Sequence, residues 1–453
     1  MRSIATLALG LVTAASLWAE APSVDGTLPE DYLPQLKPLL QMAVERSPNT
    51  IAASIAVAQQ EASKMQSDSV LWPSVGVNGS YQSSYEQESS STSSSSARGF
   101  VYGASVSQPL FQFGALKNSV AVGTLGLKIA ERQYAEAYRL LASIIREQYL
   151  GLIARNITLR NVRFALDLTN VQMQAAQARF DSGASSQSEL QDARLAVEQA
   201  QLDSDRAAED FAYSKQTFIR LVGIDNLGDE TIPLMVPHPE YPPQKADLIL
   251  TGFVGEGIES TFQSQVYDMI LKQQDLNYKI ARVRLLPKFN ASVGYTYSNY
   301  TSLSSNSISQ IGLSAETVSV GGYWTVFDGF ATRGAKLAAL EGKRTYEWQK
   351  KNYVDTTIDT ITYMRHQLDL SARAMGLAEV HDALLAAQVK RFRDDQQLGY
   401  ASKAVIDSSI LTLNATELLM ANARADYLSH WTDFVSLAGI DPALSNISPR
   451  YVH

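Results

Sequence analysis

No proline occurs between Pro109 and Pro233, or between Pro287 and Pro442. Proline breaks helix interiors because it lacks an N–H and its ring collides with the preceding turn. Each gap can therefore hold long unbroken helices. In the first gap, residues 115–181 read as one helix of roughly 67 residues, about 100 Å at 1.5 Å per residue. Its apolar positions run Tyr134, Tyr138, Leu141, Ile145, Tyr149, Leu152, Leu159 and Leu166, a coiled-coil spacing that falters at Asn156 and Arg163. A helix this long cannot be buried inside a globule built from 453 residues. It must lie against similar helices along its whole length.

The mature sequence is duplicated. Leu71-Trp72-Pro73 recurs as Leu285-Leu286-Pro287, Leu110-Phe111 as Val326-Phe327, and Arg179-Phe180 as Arg391-Phe392. Gly183 recurs as Gly399, and Val222-Gly223-Ile224-Asp225 as Ala438-Gly439-Ile440-Asp441, both at an offset of 216. Ordered landmarks at near-constant offset are the mark of internal repetition. Each half predicts helix, strand pair, long helix, tight turn, helix. The helices are expected over about 37–70 (interrupted near Ser47-Pro48-Asn49), 115–181 and 186–222, then 260–284, 332–396 and 402–438. The first repeat spans 20–230 and the second 260–441. A proline-rich linker (231–259) joins them, and a tail follows at 442–453.

The strand segments, about 74–85, 99–111, 289–300 and 314–327, alternate between an apolar and a small polar face. Val75, Val77 and Tyr81 oppose Ser74, Asn78 and Ser80. Phe289, Ala291, Val293, Tyr295 and Tyr297 oppose Asn290, Ser292, Gly294, Thr296 and Ser298. Such alternation fits a transmembrane β-strand and equally a soluble sheet with one wet face. Aromatics near the strand ends (Trp72, Phe111, Phe113, Trp324, Phe327) favour the membrane. The strands of each pair are joined by polar segments, one of them the serine-rich run 88–96. Four strands cannot close a barrel, and an open edge is not tolerated in lipid. Several chains must then share one barrel. Two would give eight strands with a filled interior; three would give twelve and room for a lumen.

The N-terminus reads as a secretory signal over 1–19: Arg2, a largely apolar run from Ile4 to Leu17, and small residues at Ala19 and Ala21. Beyond it no apolar run reaches the 18 residues that mark a spanning helix, so membrane insertion is expected from strands. The chain has no cysteine, hence no disulfide. A net charge of −8 and pI near 5.3 argue against a nucleic-acid partner. His238, His366, His381, His430 and His453 form no HExxH motif or metal cluster, and Gly252–Gly257 has the wrong glycine spacing for a dinucleotide fingerprint. No enzyme activity, cofactor or metal is expected.

These residues resemble the TolC-like outer-membrane efflux and secretion channels over about 37–441. The resemblance rests on Leu71-Trp72-Pro73, Gln108-Pro109-Leu110-Phe111, Val326-Phe327-Asp328-Gly329, Arg179-Phe180-Asp181-Ser182-Gly183 with Glu189, and Gly399 with Asp407 and Asn414-Ala415. It implies a mainly helical homotrimer in the outer membrane. Its duplicated helical hairpins would form an α-barrel in the periplasm, and its strands a shared twelve-stranded β-barrel. It also implies an exit duct for efflux or type I secretion, working with a periplasmic adaptor and an inner-membrane transporter of RND or ABC type. The tip turns would be Gly183-Ala184 and Gly399-Tyr400. Glu189, Asp407 and, less directly, Asp192 would ring the constriction, or else are ordinary surface acids. The chain departs from the pattern at Ala404, where a second acid is common, and at Ala184 and Tyr400, where Leu or Thr is common. A periplasmic coiled-coil adaptor is the alternative reading, opposed by the duplication.

Overall fold

The computed structural model describes residues 27–87, 94–304 and 307–452. The signal segment 1–19 and most of the serine run 88–96 lie outside the described residues. The first repeat contains α1 (Pro29–Tyr32), α2 (Leu36–Arg46), α3 (Pro48–Asp68), β1 (Ser74–Gln87), β2 (Ser94–Phe111), α4 (Ala115–Asp181) and α5 (Gln187–Val222). The linker carries α6 (Pro243–Gly252) and α7 (Ile258–Ser260). The second repeat contains α8 (Phe262–Arg282), β3 (Lys288–Ser304), β4 (Ser307–Tyr323), α9 (Ala331–Gln397) and α10 (Lys403–Leu437), and α11 (Pro449–Val452) follows.

The long helices α4 and α9 are both 67 residues. The break at Ser47 is a helix restart: Ser47 Oγ accepts from Asn49 N, and Pro48 occupies the first turn. Thr50 Oγ1 donates to Ala43 O at 2.7 Å, a carbonyl that also accepts from Ser47 N and so ties the two helices together. Thr261 caps α8 the same way, accepting from Ser264 N.

Three expectations need adjusting. The proline-rich linker is partly helical, because Pro243 sits at the start of α6, where its missing N–H has no partner to lose. Gly252–Gly257 runs into a π-helical turn over Phe253–Gly257. The strands reach further outward than expected, to Ser304 and from Ser307, where the β3–β4 ladder continues through to the pair Ser304–Ser307. β4 ends at Tyr323 instead of near 327; beyond it Gly329 and Phe330 take positive φ and turn the chain into α9.

The sheet is an antiparallel meander in the order β1-β2-β3-β4. Its register separates the faces rung by rung. Val75 pairs with Val106, Val106 with Val293 and Val293 with Val318. One rung away, on the other face, stand Ser74, Ser107, Ser292 and Ser319. Tyr81 meets Phe100 edge-on and Tyr102 stacks on Tyr297, both on the valine face. Among the described residues no helix covers that face: Val77 is 82% and Val318 78% exposed in the single chain.

The helices form one layer with α4 at its centre. Near the sheet the order is α3-α4-α8-α9, and beyond it α5-α4-α10-α9. The core lies where these levels meet, around Tyr138, Leu141, Ile145 and Tyr149 of α4, Phe218 of α5, and Trp431 and Phe434 of α10. Burial pushes the Tyr138 phenol up to about 12; its hydroxyl donates to Leu40 O and accepts from Asn446 Nδ2. The linker is strapped across both repeats. Tyr149 donates to Thr231 O, Asn156 to Ile232 O, Arg424 to Val236 O and Tyr427 to Glu240 O. By length and composition α10 is apolar enough to cross a membrane, with a window mean hydropathy of 1.2, which run length alone does not reveal. It packs instead along α9 and α4.

Arg146 is fully buried at the centre of this core. Its guanidinium bonds Glu30 at 2.5 and 2.8 Å and Asp441 at 2.6 and 2.8 Å. Burial opposes the charge, but Asp441 and Glu30 outweigh it and hold the guanidinium above its ordinary value. Removing one member of a buried ion group strands the others, at a cost of about 3–5 kcal/mol. Arg146→Ala should therefore lower the thermal and denaturant midpoints sharply. Arg146→Met combined with Glu30→Gln and Asp441→Asn should recover much of the loss. An unchanged midpoint in Arg146→Ala would exclude this role.

Candidate functional site

The two repeats end their long helices in the same way. After α4, Gly183 takes φ +75°, Gly183 N donates to Phe180 O at 2.9 Å and Ala184 N to Arg179 O at 2.8 Å. After α9, Gly399 takes φ +81°, Gly399 N donates to Gln396 O at 2.9 Å and Tyr400 N to Asp395 O at 2.8 Å. This paired bonding is the Schellman motif, which satisfies the last carbonyls and reverses the chain at a left-handed residue. Ser186 and Ser402 then cap the return helices by accepting from Glu189 N and Val405 N. Ala184 and Tyr400 stand exposed beside the glycines, Tyr400 at 84%.

The three acids lie in the first two turns after these tips. Glu189 is exposed, and its carboxylate accepts from Ser185 Oγ at 2.5 Å, so it also finishes the cap of α5. Asp192 is exposed one turn on, and Asp407 is half-buried on α10. None of the three is ion-paired among the described residues. They are not equivalent across the repeats: at the 216 offset Glu189 corresponds to Val405 and Asp407 to Gln191.

The open strand edges follow from the sequence, but the helical edges of the chain were not singled out by it. β1, α3 and α5 form one side from top to bottom; β4 and α9 form the other. Neither outer strand has a partner on its free side. On α9, Tyr363, Leu370, Leu377 and Leu384 are exposed at intervals of seven, and on α5 Leu195 and Leu202 repeat the interval. A seven-residue apolar repeat is a coiled-coil seam lacking its partner helix. That spacing was the available signal.

A Cβ at Gly183 or Gly399 would meet no atom within 4 Å, so backbone conformation alone demands glycine there. A β-branched residue in this conformation costs about 1–2 kcal/mol. Gly399→Val should therefore speed limited proteolysis at the tip without lowering the global melting temperature, and Gly399→Asn should do neither. Global destabilisation by Gly399→Val would show that the turn organises the whole fold.

Residues 39–223 match the model of the outer membrane efflux protein family. No curated protein matches the chain. Several solved structures share its fold. The CmeC outer membrane channel of Campylobacter jejuni superposes with TM-score 0.70 at 14% identity, covering 100% of this chain and 97% of that one. The open-state MtrE outer membrane channel of Neisseria gonorrhoeae gives TM-score 0.64 at 14% identity, covering 96% and 98%. The outer membrane protein VceC of Vibrio cholerae gives TM-score 0.63 at 16% identity, covering 91% and 98%. Residues 39–223 therefore carry the sequence pattern of the outer membrane efflux protein family, and the chain has the fold of these solved outer-membrane channels.

Proposed function

We propose that three copies of this chain form a passive exit duct in the outer membrane, continuous with a helical tunnel that reaches into the periplasm. The observation that carries this reading is the four-stranded sheet with an uncovered apolar face and two unpaired edges. In lipid every backbone donor and acceptor must be satisfied, so β4 of one copy pairs with β1 of the next. Three copies give twelve strands, enough for a lumen. The valine face meets lipid and the serine face lines the passage. The helical edges follow the same ring, with the α9 stripe meeting α5 and α3 of the neighbour. The duct serves a tripartite export system, and its glycine tips are the end that meets a periplasmic adaptor coupled to an inner-membrane transporter. Its cargo is a small molecule or a secreted polypeptide. The duplicated hairpins and the sheet oppose the alternative of a periplasmic coiled-coil adaptor.

Leu377 on the stripe is 74% exposed in the single chain. Leu377→Asp would be nearly neutral on a solvated surface. In the proposed ring, together with Leu370→Asp, it should convert trimers to monomers. Mass measurement in detergent and heat-modifiable migration after outer-membrane fractionation would register the change. A stable wild-type monomer in that membrane overturns the architecture.

At the closed tip, three Asp407 carboxylates would face one axis and attract multivalent cations. Asp407→Ala should weaken block of single-channel current by periplasmic divalent or trivalent cations, with assembly intact. Glu189→Ala should act less strongly, because its carboxylate is engaged in the helix cap. Unchanged block in the double variant would identify these acids as ordinary surface residues.

A further inference from the structure

We propose that the outer side of the junction between β4 and α9 holds the headgroup of an anionic phospholipid from the periplasmic leaflet. The inference rests on the reading that the valine face meets lipid. Two hollows flank this junction. One, lined by Ser74, Pro109 and Lys288, lies on the serine side and belongs to the passage. The other, of about 480 Å³, is lined by Leu285, whose carbonyl accepts from Trp324 Nε1 at 3.0 Å; Trp324 continues the alternation of Val318 and Val320, which assigns this hollow to the valine side. Leu285, Phe327, Phe330 and Leu337 give it an apolar wall that continues the lipid-facing band downward. Phe327 and Phe330 pack edge-on with centroids 5.4 Å apart, and both are largely exposed.

Arg333 and Lys336 line the same hollow. Neither has a carboxylate partner among the described residues. In the next turns of α9 Lys343 pairs with Asp275, Arg344 with Glu341 and Lys350 with Asp268. Lys351 and Arg373 have no ion pair among the described residues, but they line no apolar hollow with Arg333 and Lys336. Asp328 also borders the hollow, but its carboxylate is taken by Thr332 N and Thr332 Oγ1 at 2.9 and 2.6 Å. Two cations without an ion-pair partner, against one carboxylate, leave the hollow net positive below an apolar, aromatic wall, which matches a phosphate joined to acyl chains. Unpaired cations in open periplasm would not need that wall. In the first repeat Lys117 stands at the 216 offset from Arg333, likewise exposed and without an ion pair, one turn past Phe113. The cation recurs where each long helix leaves the membrane.

The test is native mass spectrometry of the intact assembly in detergent with added phosphatidylglycerol or phosphatidylcholine. The wild type should retain phosphatidylglycerol preferentially. Each neutralised cation should weaken that retention about fivefold, and Arg333→Gln with Lys336→Gln about thirtyfold. Lys343→Gln, at a matched cation, should leave it unchanged. Equal retention of the two lipids by the wild type, or undiminished retention by the double variant, overturns the proposal. So does displacement by inorganic phosphate at equal concentration, which would mark a free-anion site. Dissociation of the double variant into monomers would reassign the pair to a contact between copies and also overturns it. Failure of the wild type to form trimers would instead strike the proposed function. Intact trimers without lipid preference would strike this inference alone.

Discussion

Backbone hydrogen bonding decides what this chain can be. Among the described residues the sheet has two free edges and a bare valine face, and no helix reaches across to cover either. In water, edges can be solvated or protected by charge; in hydrocarbon they can only be paired. A sequence that places four valines across one rung and four serines across the next has already divided inside from outside. The helical layer inherits the division, since α3 runs into β1 and β4 leads into α9 on the same sides of the protomer.

A layer one helix thick has little interior, and the chain compensates at one level. Around Arg146 the segment before α2, the middle of α4 and the end of the last long hairpin are drawn together by charged hydrogen bonds. The linker strap crosses the same region and is held by side chains of α4 and α10 through its carbonyls. Buried ion groups contribute less to stability than to fixing one arrangement. Here the arrangement to be fixed is the position of one repeat against the other, which periodic helix packing leaves open to sliding by a heptad.

Much of this was legible in the sequence. Proline gaps delimited α4 and α9, because an interior proline is incompatible with a helix, and alternation assigned the strand faces, because the period of two is intrinsic to the pleat. The linker helix α6 escaped notice because proline clusters read as loop, although Pro243 is admissible at a first helical position. The Arg146 group could not be read, since Glu30 and Asp441 lie 116 and 295 residues away and nothing local marks them as partners. At the tips the turns were legible, because a left-handed residue after a long helix calls for glycine. The acids were not: a carboxylate in the first turns of a helix has the same sequence appearance whether it caps, faces solvent or rings an axis. Glu189 is the case in point, with its carboxylate on Ser185.

The duplication itself explains where function concentrates. Two near-equal repeats repeated three times would give a ring of six similar units, and identical units would leave nothing to distinguish one helix pair from the next. The repeats agree where geometry must be shared: the Schellman turns, the serine caps and the positive-φ residues at the strand-to-helix corners. They differ in charge and bulk at the ends. Asp407 answers to Gln191, Tyr400 to Ala184 and Lys336 to Val120. In the proposed ring a charge present in only one repeat would recur three times, so its copies would sit farther apart than six equal ones and repel less. The tip of such a ring would thereby carry carboxylates close to its axis while the scaffold beneath them stayed close to sixfold.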